Sequence, residues 1–444
     1  MKKEIALSEH FDYGKLIRFT LPSIAMMIFT SIYGVVDGLF VSNIVGKAEF
    51  TAVNFIMPVL MITGSVGFMF GAGGSALVSK TLGEGKREKA NSMFSLLVYV
   101  SAGLGVVLAV AGFVLMPVIA AALGADGELL ENCVIYGRIV VSAMPMFMLQ
   151  MEFQSLFITA EKPKLGLAVT IASGVLNMIL DALFMWVFNW GIAGAALATA
   201  LSQVVGGGVP LVYFFRQNTS QLRLGKADFD LRAIGKACSN GSSEFVSQSS
   251  MSVVNMLYNS QLKHFAGDDG VAAYGVMMYV NLVFLAIFIG YSIGTAPVIG
   301  FHFGAQNTDE LKSLRQKSFM IIGCVSIAML AASQLFAAPL AGIFVGYDAE
   351  LLKLTVRGFR IFSFSFLFAG VSIFGSSMFT ALNNGLISAL ISFLRTLVFQ
   401  ISAVLLLPLI LKVDGIWASV VVAELAAFMI TIIFIIAKKK KYGY

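Results

Sequence analysis

Long apolar stretches alternate with short polar segments along the whole chain. Each stretch has about 20 residues or more, the length that an α-helix needs to cross a bilayer core about 30 Å thick. The pattern predicts twelve transmembrane helices, here helices 1 to 12, near residues 17–41, 51–79, 91–119, 132–160, 164–187, 193–215, 237–262, 272–302, 318–345, 352–382, 385–411 and 415–437. The longest connection, Arg216 to Ala233, is too short for a soluble domain.

The second half of the chain repeats landmarks of the first half. An interval of 221 residues separates three pairs of glycines: Gly46 and Gly267, Gly83 and Gly304, and Gly194 and Gly415. Each half holds six helices, so both halves enter the membrane in the same direction. We therefore expect an all-α polytopic membrane protein of two six-helix bundles, related by a pseudo-twofold axis along the membrane normal. The predicted units are an N-lobe (1–215), a cytoplasmic linker (216–233) and a C-lobe (234–444).

Composition agrees with a membrane protein, since 58% of the residues are hydrophobic and 12% are charged. Lys and Arg concentrate at the N-terminus, in most loops after even-numbered helices and in the tail, which predicts cytoplasmic termini. This asymmetry accounts for the net charge of +6, so no nucleic-acid partner is expected. The N-terminus lacks the pattern of a cleaved signal. The three cysteines are far apart, and no metal or cofactor is expected.

Asp37 is the only acid in the first apolar stretch. A carboxylate in a membrane span costs about 2.5 to 3.5 kcal/mol on insertion scales, so a retained one commonly faces an aqueous cavity or an ion pathway. Tyr33 lies four residues earlier and shares its helix face. A purely structural Asp that packs against an Arg or a neighbouring helix is the alternative.

Asp181 on helix 5 is the natural partner of Asp37. Both acids come late in helices that run outward, and Asn177 lies one turn before Asp181 on the same face. The repeat interval places Tyr258 and Ser402, neither of them acidic, at the corresponding positions of the second half. Because a scaffolding role would be needed equally in both halves, this asymmetry favours a function for the two acids.

A second group of polar residues falls within helices 7, 11 and 12. It consists of Glu244, Gln248, Arg395 and Glu424. The group can line a substrate cavity or form an internal salt bridge, and the sequence leaves both interpretations open.

Several short motifs together resemble the multidrug and toxic compound extrusion (MATE) family, nearest to its bacterial DinF-like and MepA-like branch. They are Pro22 fifteen positions before Asp37, Asn177-x-x-x-Asp181, and the small-residue run Gly194 to Thr199. The resemblance extends over essentially the whole chain. It implies a bacterial inner-membrane exporter whose two bundles alternate access, driven by protons or sodium.

The resemblance also implies roles for individual residues. The N-lobe cation site of the family corresponds to Tyr33, Asp37, Asn177, Asp181 and Thr199, with Asp37 and Asp181 available to bind Na⁺ or H⁺. Pro22 corresponds to the proline at which helix 1 is thought to bend. The NorM-like branch carries an acid in helix 7, and 251–253 contain none here, so the chain departs from that pattern.

The expected partners are small organic molecules and membrane lipid, without an obligate protein partner. The chain has 22 Met and 38 Phe, whose polarizable and aromatic side chains suit unlike, lipophilic and cationic ligands. A lipid-linked oligosaccharide flippase of the same superfamily is the main alternative, although it would want several central cations. A channel is less favoured, and an enzyme is disfavoured because the three His lie outside the helices or at their ends.

Overall fold

The computed structural model describes residues 5–444, apart from the side chains of Leu39, Ser42, Asn43, Lys47 and Ser252. Nearly all of the described chain is helical. The first half contains α1 (Tyr13–Phe40), α2 (Lys47–Gly83), α3 (Arg87–Ala122), α4 (Gly127–Ser142 and Met144–Thr159), α5 (Pro163–Val187) and α6 (Gly191–Phe215). The second half contains α7 (231–266), α8 (268–304), α9 (Thr308–Val345), α10 (Ala349–Ala381), α11 (Gly385–Leu406, followed by a last turn over 408–411) and α12 (413–442). Lys412, with φ +51° and ψ −130°, separates α11 from α12.

The helices α7 and α8 follow one another with only Gly267 between them. The combined helix Leu231–Gly304 has 74 residues, and Gly267 breaks it with φ +65° and ψ −153°. At 1.5 Å per residue the combined length is about 110 Å, far more than a bilayer about 30 Å thick. It must therefore be two spans, and the predicted twelve-helix membrane fold is confirmed. The sequence predicts a loop of several residues here, whereas the helices extend almost to the glycine.

Two predicted helices contain a break. In α4 the segments Gly127–Ser142 and Met144–Thr159 meet at an angle of 57°. Pro145 lies in the first turn of the second segment, where its ring and missing N–H oppose a straight continuation. In α10 a 3₁₀ turn at Ser363–Ser365 interrupts the helix. Apolar length predicts such spans but carries no information about their bends.

Tight contacts between α2 and helices α7 and α8 join the two halves. A Cβ atom added to Gly73, Gly83 or Gly241 would lie 1.9 Å from a backbone oxygen of the facing helix, and one added to Gly304 would lie 2.0 Å away. Gly83 on α2 faces the carbonyl of Phe301 on α8, and its repeat mate Gly304 faces a carbonyl on α2. The two repeat mates therefore make equivalent contacts, each against the helix that carries the other, where α2 crosses α8.

Both chain ends lie at one face of the helix bundle, which we call the terminal face. The segment before α1 spans the two halves there. The N–H of Leu7 donates to Glu161 Oε1 (2.6 Å) after α4, and the N–H of Phe11 donates to Glu310 Oε1 (2.9 Å) in α9. His10 Nδ1 lies 2.5 Å from Glu310 Oε2. The two halves are thus closed against each other at the terminal face.

The residues between α6 and α7 contain no helix and pack along the start of α3. Ser95 accepts a hydrogen bond from the N–H of Gly225 (3.0 Å), and Tyr99 donates to the carbonyl of the same glycine (3.0 Å). The predicted limits of the N-lobe, the linker and the C-lobe stay predictions. The largest apolar core lies in the second half, around Trp417 and Phe366, and smaller cores fill the first half.

Candidate functional site

The helices α1 and α5 bring Asp37 and Asp181 together inside the N-lobe. Gly174 on α5 permits the close approach, because a Cβ there would lie 2.6 Å from Phe29 and 3.2 Å from Tyr33 of α1. The Asp37 and Asp181 carboxyl groups lie close enough to each other for electrostatic interaction. The two acids are therefore neighbours in the structure, and their action as one paired site stays a prediction.

The two carboxyl groups differ in exposure. Asp181 has no exposed surface, whereas Asp37 is half-buried. Neither oxygen of Asp181, nor Oδ1 of Asp37, accepts a hydrogen bond from the described part of the chain. Buried polar oxygens are normally hydrogen-bonded, and leaving one unpaired is costly. The pair thus has free coordination capacity for a proton, a water molecule or a small cation.

The other residues of the predicted N-lobe cation site are Tyr33, Asn177 and Thr199. The Tyr33 hydroxyl is close enough to feel the charge of Asp37, and Asn177 is buried one turn before Asp181. Thr199 on α6 is half-buried, and its carbonyl accepts a hydrogen bond from Ser202 (2.8 Å). Their assignment as a cation site stays a prediction.

Tyr136 on α4 is a further member that the sequence analysis missed. Its side chain is 1% exposed, and its hydroxyl lies beside the Thr199 hydroxyl and near both Asp37 and Asp181. Tyr136 lies in the predicted helix 4, which the sequence analysis identified by its apolar length alone. The one signal in the sequence was a phenol hydroxyl within a membrane span, where such a group needs a polar neighbour.

Pro22 lies where α1 meets the other half of the protein. The residue is buried, and α1 continues through it as one helix. Next to it, a Cβ on Gly290 of α8 would lie 2.5 Å from Ile24 and 2.8 Å from the carbonyl of Ser23. Any bend of α1 at Pro22 would therefore move this contact between the two halves.

The second predicted group surrounds a cavity of about 200 Å³ in the C-lobe, at its boundary with the N-lobe. Glu244, Gln248, Arg395 and Glu424 all line it. Arg395 Nε donates to both oxygens of Glu424, at 3.0 and 2.8 Å. The cavity wall thus contains the salt bridge, and binding of substrate in this cavity stays a prediction.

Glu244 lies near the Arg395 guanidinium but forms no ion pair with it within 4.0 Å among the described residues. Tyr258, the repeat counterpart of Asp37, also lines this cavity, and its hydroxyl contacts Gln400 (2.7 Å) and Ser419 (2.9 Å). The side chain of Ser252, at the helix-7 position discussed above, lies outside the described part of the structure.

The MatE family model matches the chain twice, over residues 22–183 and again over 244–405. The chain belongs to the MatE family. The two matches begin 222 residues apart, which agrees with the repeat interval read from the glycines to within one residue. Neither interval places an acid opposite Asp181, because the alternatives are Ser402 and Ala403.

Curated relatives and solved structures support the same assignment. The multidrug export protein MepA of Staphylococcus aureus (strain MSSA476) is 23% identical over 425 residues, covering 94% of this chain and 93% of the relative. MepA of Staphylococcus haemolyticus is 24% identical over 378 residues, covering 84% and 82%. A crystal structure of a MATE protein in complex with MaL6 has a TM-score of 0.93 at 21% identity, covering 100% and 99%. This MatE chain therefore has the MATE fold and is of the MepA-like type.

Proposed function

We propose that this chain is a cation-coupled multidrug exporter, in which entry of a proton or sodium ion drives export of lipophilic organic cations. Its curated MepA relatives are named multidrug export proteins, and it aligns with them over nearly their whole length. The observation that carries the proposal is the Asp37–Asp181 pair, whose carboxyl oxygens include three without a partner among the described residues. The membrane would be the bacterial inner membrane, with the terminal face cytoplasmic.

The coupling step follows from the closeness of the two acids. Two neighbouring carboxylates, one of them fully buried, repel each other, so the pair favours holding one proton or one Na⁺ between them. Loss of that cation leaves a negative charge that an organic cation or a new coupling ion can neutralise. Exchange then requires that the two ligands favour different states of the lobes. The glycine contacts at the terminal face hold one such state closed.

The C-lobe cavity supplies a surface for the organic substrate. Arg395 and Glu424 neutralise each other, so Glu244 is the acid of this wall that would be left to neutralise a bound organic cation. Met251, Met278 and the aromatic ring of Tyr258 add polarizable surface. Such a cavity attracts a lipophilic cation by charge and by ring contacts, and it adapts to different shapes.

The same cavity is less suited to a lipid-linked oligosaccharide. A flippase would bind an anionic headgroup with free basic side chains. Arg395 is committed to Glu424 at 2.8 Å, and its side chain is only 14% exposed. The polarity of the cavity therefore favours a cationic ligand.

Reconstitution in liposomes tests the proposal. A fluorescent organic cation such as ethidium is followed while a proton gradient, a sodium gradient or no gradient is imposed. Transport that follows one of the ion gradients supports the exporter, and the effective gradient identifies the ion. Lipid scrambling without gradient-driven ethidium transport would instead support the flippase and reject the exporter.

The Asp pair provides a matched mutational test. Asp37→Asn or Asp181→Asn should abolish gradient-driven transport at normal membrane abundance, whereas Tyr258→Phe and Ser402→Ala should retain most of it. Because the two acids share one titration, the double Asn variant should be little worse than either single variant. Equal losses in all four single variants would contradict the asymmetry. Additive losses in the double variant would contradict a shared site.

A further inference from the structure

A stripe of polar side chains runs down α5 from the acid pair toward the terminal face. Asp181, Asn177, Ser173 and Thr170 are spaced by four, four and three residues, so they share one face of the helix. All four are buried, with exposures of 0%, 2%, 2% and 5%. The stripe covers about 16 Å of the helix axis. Its neighbours along the membrane-spanning chain are mostly apolar, so a continuous buried polar face of this length needs an explanation.

Two glutamines on α4 extend the stripe sideways. Gln150 and Gln154 are one turn apart and are 7% and 4% exposed. Gln150 Nε2 contacts Ser173 Oγ at 3.4 Å, and Ser173 Oγ donates to the carbonyl of Ser202 on α6 at 2.7 Å. Gln150, Ser173 and Ser202 therefore form a hydrogen-bonded link between α4, α5 and α6. We call the α5 stripe, together with Gln150, Gln154 and this link, the N-lobe polar track.

The track has unused hydrogen-bonding capacity beside an internal cavity. Oε1 of Gln150 and both amide atoms of Gln154 have no partner among the described residues. Both side chains, together with Thr170, line a cavity of about 10 Å³. A space of that size holds about one water molecule, and water is the usual partner of otherwise unsatisfied buried polar groups.

We propose that the N-lobe polar track binds water and conducts the coupling proton between the Asp37–Asp181 pair and the terminal face. A carboxylic acid O–H of the pair gives its proton to a track water and becomes a carboxylate. The excess proton then passes along O–H bonds of water and hydroxyl groups to bulk solvent. The glutamine amides only position the water molecules and neither gain nor lose a proton. The route would thus run through the N-lobe interior, apart from the cavity that holds the organic substrate.

Aromatic and apolar residues close the N-lobe polar track at one end, and the nearby acid Glu152 lies outside it. Phe157 and Pro210 close the cavity on the terminal-face side, and Phe157 packs on Phe214 with ring centroids 5.2 Å apart. This aromatic barrier would prevent an uncoupled proton leak in the present state. Glu152 lies between the two glutamines in sequence and so points away from them, toward Ser101. It is outside the track.

This inference rests on the proposed function and needs a proton as the coupling ion. The experiment uses purified protein in proteoliposomes, with a pH-sensitive dye in the lumen and ethidium as substrate. Gln150→Leu and Gln154→Leu should slow ethidium-driven proton movement by about tenfold, the factor expected from one lost buried hydrogen bond. Ethidium affinity at fixed pH should stay at its wild-type value, because the substrate cavity is untouched.

The control variant is Gln334→Leu, which removes a membrane glutamine of α9 that bonds Arg360 and Ser363 outside the track. It should keep wild-type proton movement. Thr170→Val preserves side-chain shape and should slow proton movement even where a leucine variant does not fold. Wild-type proton rates in the folded track variants, or an equal loss with Gln334→Leu, would overturn the proton route. Absence of proton-driven transport in the wild-type protein would overturn the coupling itself.

Discussion

Alanine at the glycines between the two halves should open the terminal face. A Cβ at Gly73 or Gly83 would lie 1.9 Å from a backbone oxygen, whereas ordinary contact begins at 3.4 Å. The facing helices must therefore separate by about 1.5 Å, since a backbone carbonyl cannot rotate away as a side chain would. Overpacking of this kind costs about 1 to 3 kcal/mol. That cost shifts the equilibrium away from the closed terminal face by about 5- to 150-fold.

Spin labels at two exposed positions, Lys86 between α2 and α3 and Asp309 at the start of α9, report the separation of the two halves at this face by double electron–electron resonance. Gly83→Ala should move the distance distribution to longer values and reduce ethidium efflux. Gly103→Ala and Gly323→Ala are matched controls, because a Cβ at either position has no atom of the described residues within 4 Å. An unchanged distribution in folded Gly83→Ala protein, or the same shift in the controls, would refute the packing argument.

Three further predictions follow from other contacts. Pro22→Ala restores a helix N–H and removes the ring clash, so it should stiffen α1 and slow ethidium efflux without weakening ethidium binding; a wild-type efflux rate would show that bending at Pro22 is incidental. Tyr136→Phe removes the hydroxyl beside the acid pair and should weaken coupling-ion affinity by about tenfold, measured as the ion concentration for half-maximal efflux. Glu310→Gln weakens the contact with His10 and the Phe11 N–H, so the spin-label distance should lengthen; an unchanged distance would mean that the N-terminal segment does not hold the halves together.

The sequence by itself determined the architecture. Apolar length gave the number of spans because every backbone polar group in lipid must be satisfied within a helix. The interval of 221 residues gave the two-fold organisation, and the cost of a membrane carboxylate singled out Asp37 and Asp181. These signals are readable because each reflects a property of a single helix or a regular spacing along the chain.

Only the tertiary structure decided how the helices share their polar groups. Tyr136 reaches the acid pair because helix packing carries it there, and no spacing along the chain encodes that approach. The Arg395–Glu424 pair could be either cavity wall or salt bridge until the distance between α11 and α12 was known. The track between Gln154 and Asp181 likewise combines three helices. Contacts between helices depend on crossing angles and bends, and apolar length is the same whichever face a helix presents to its neighbours.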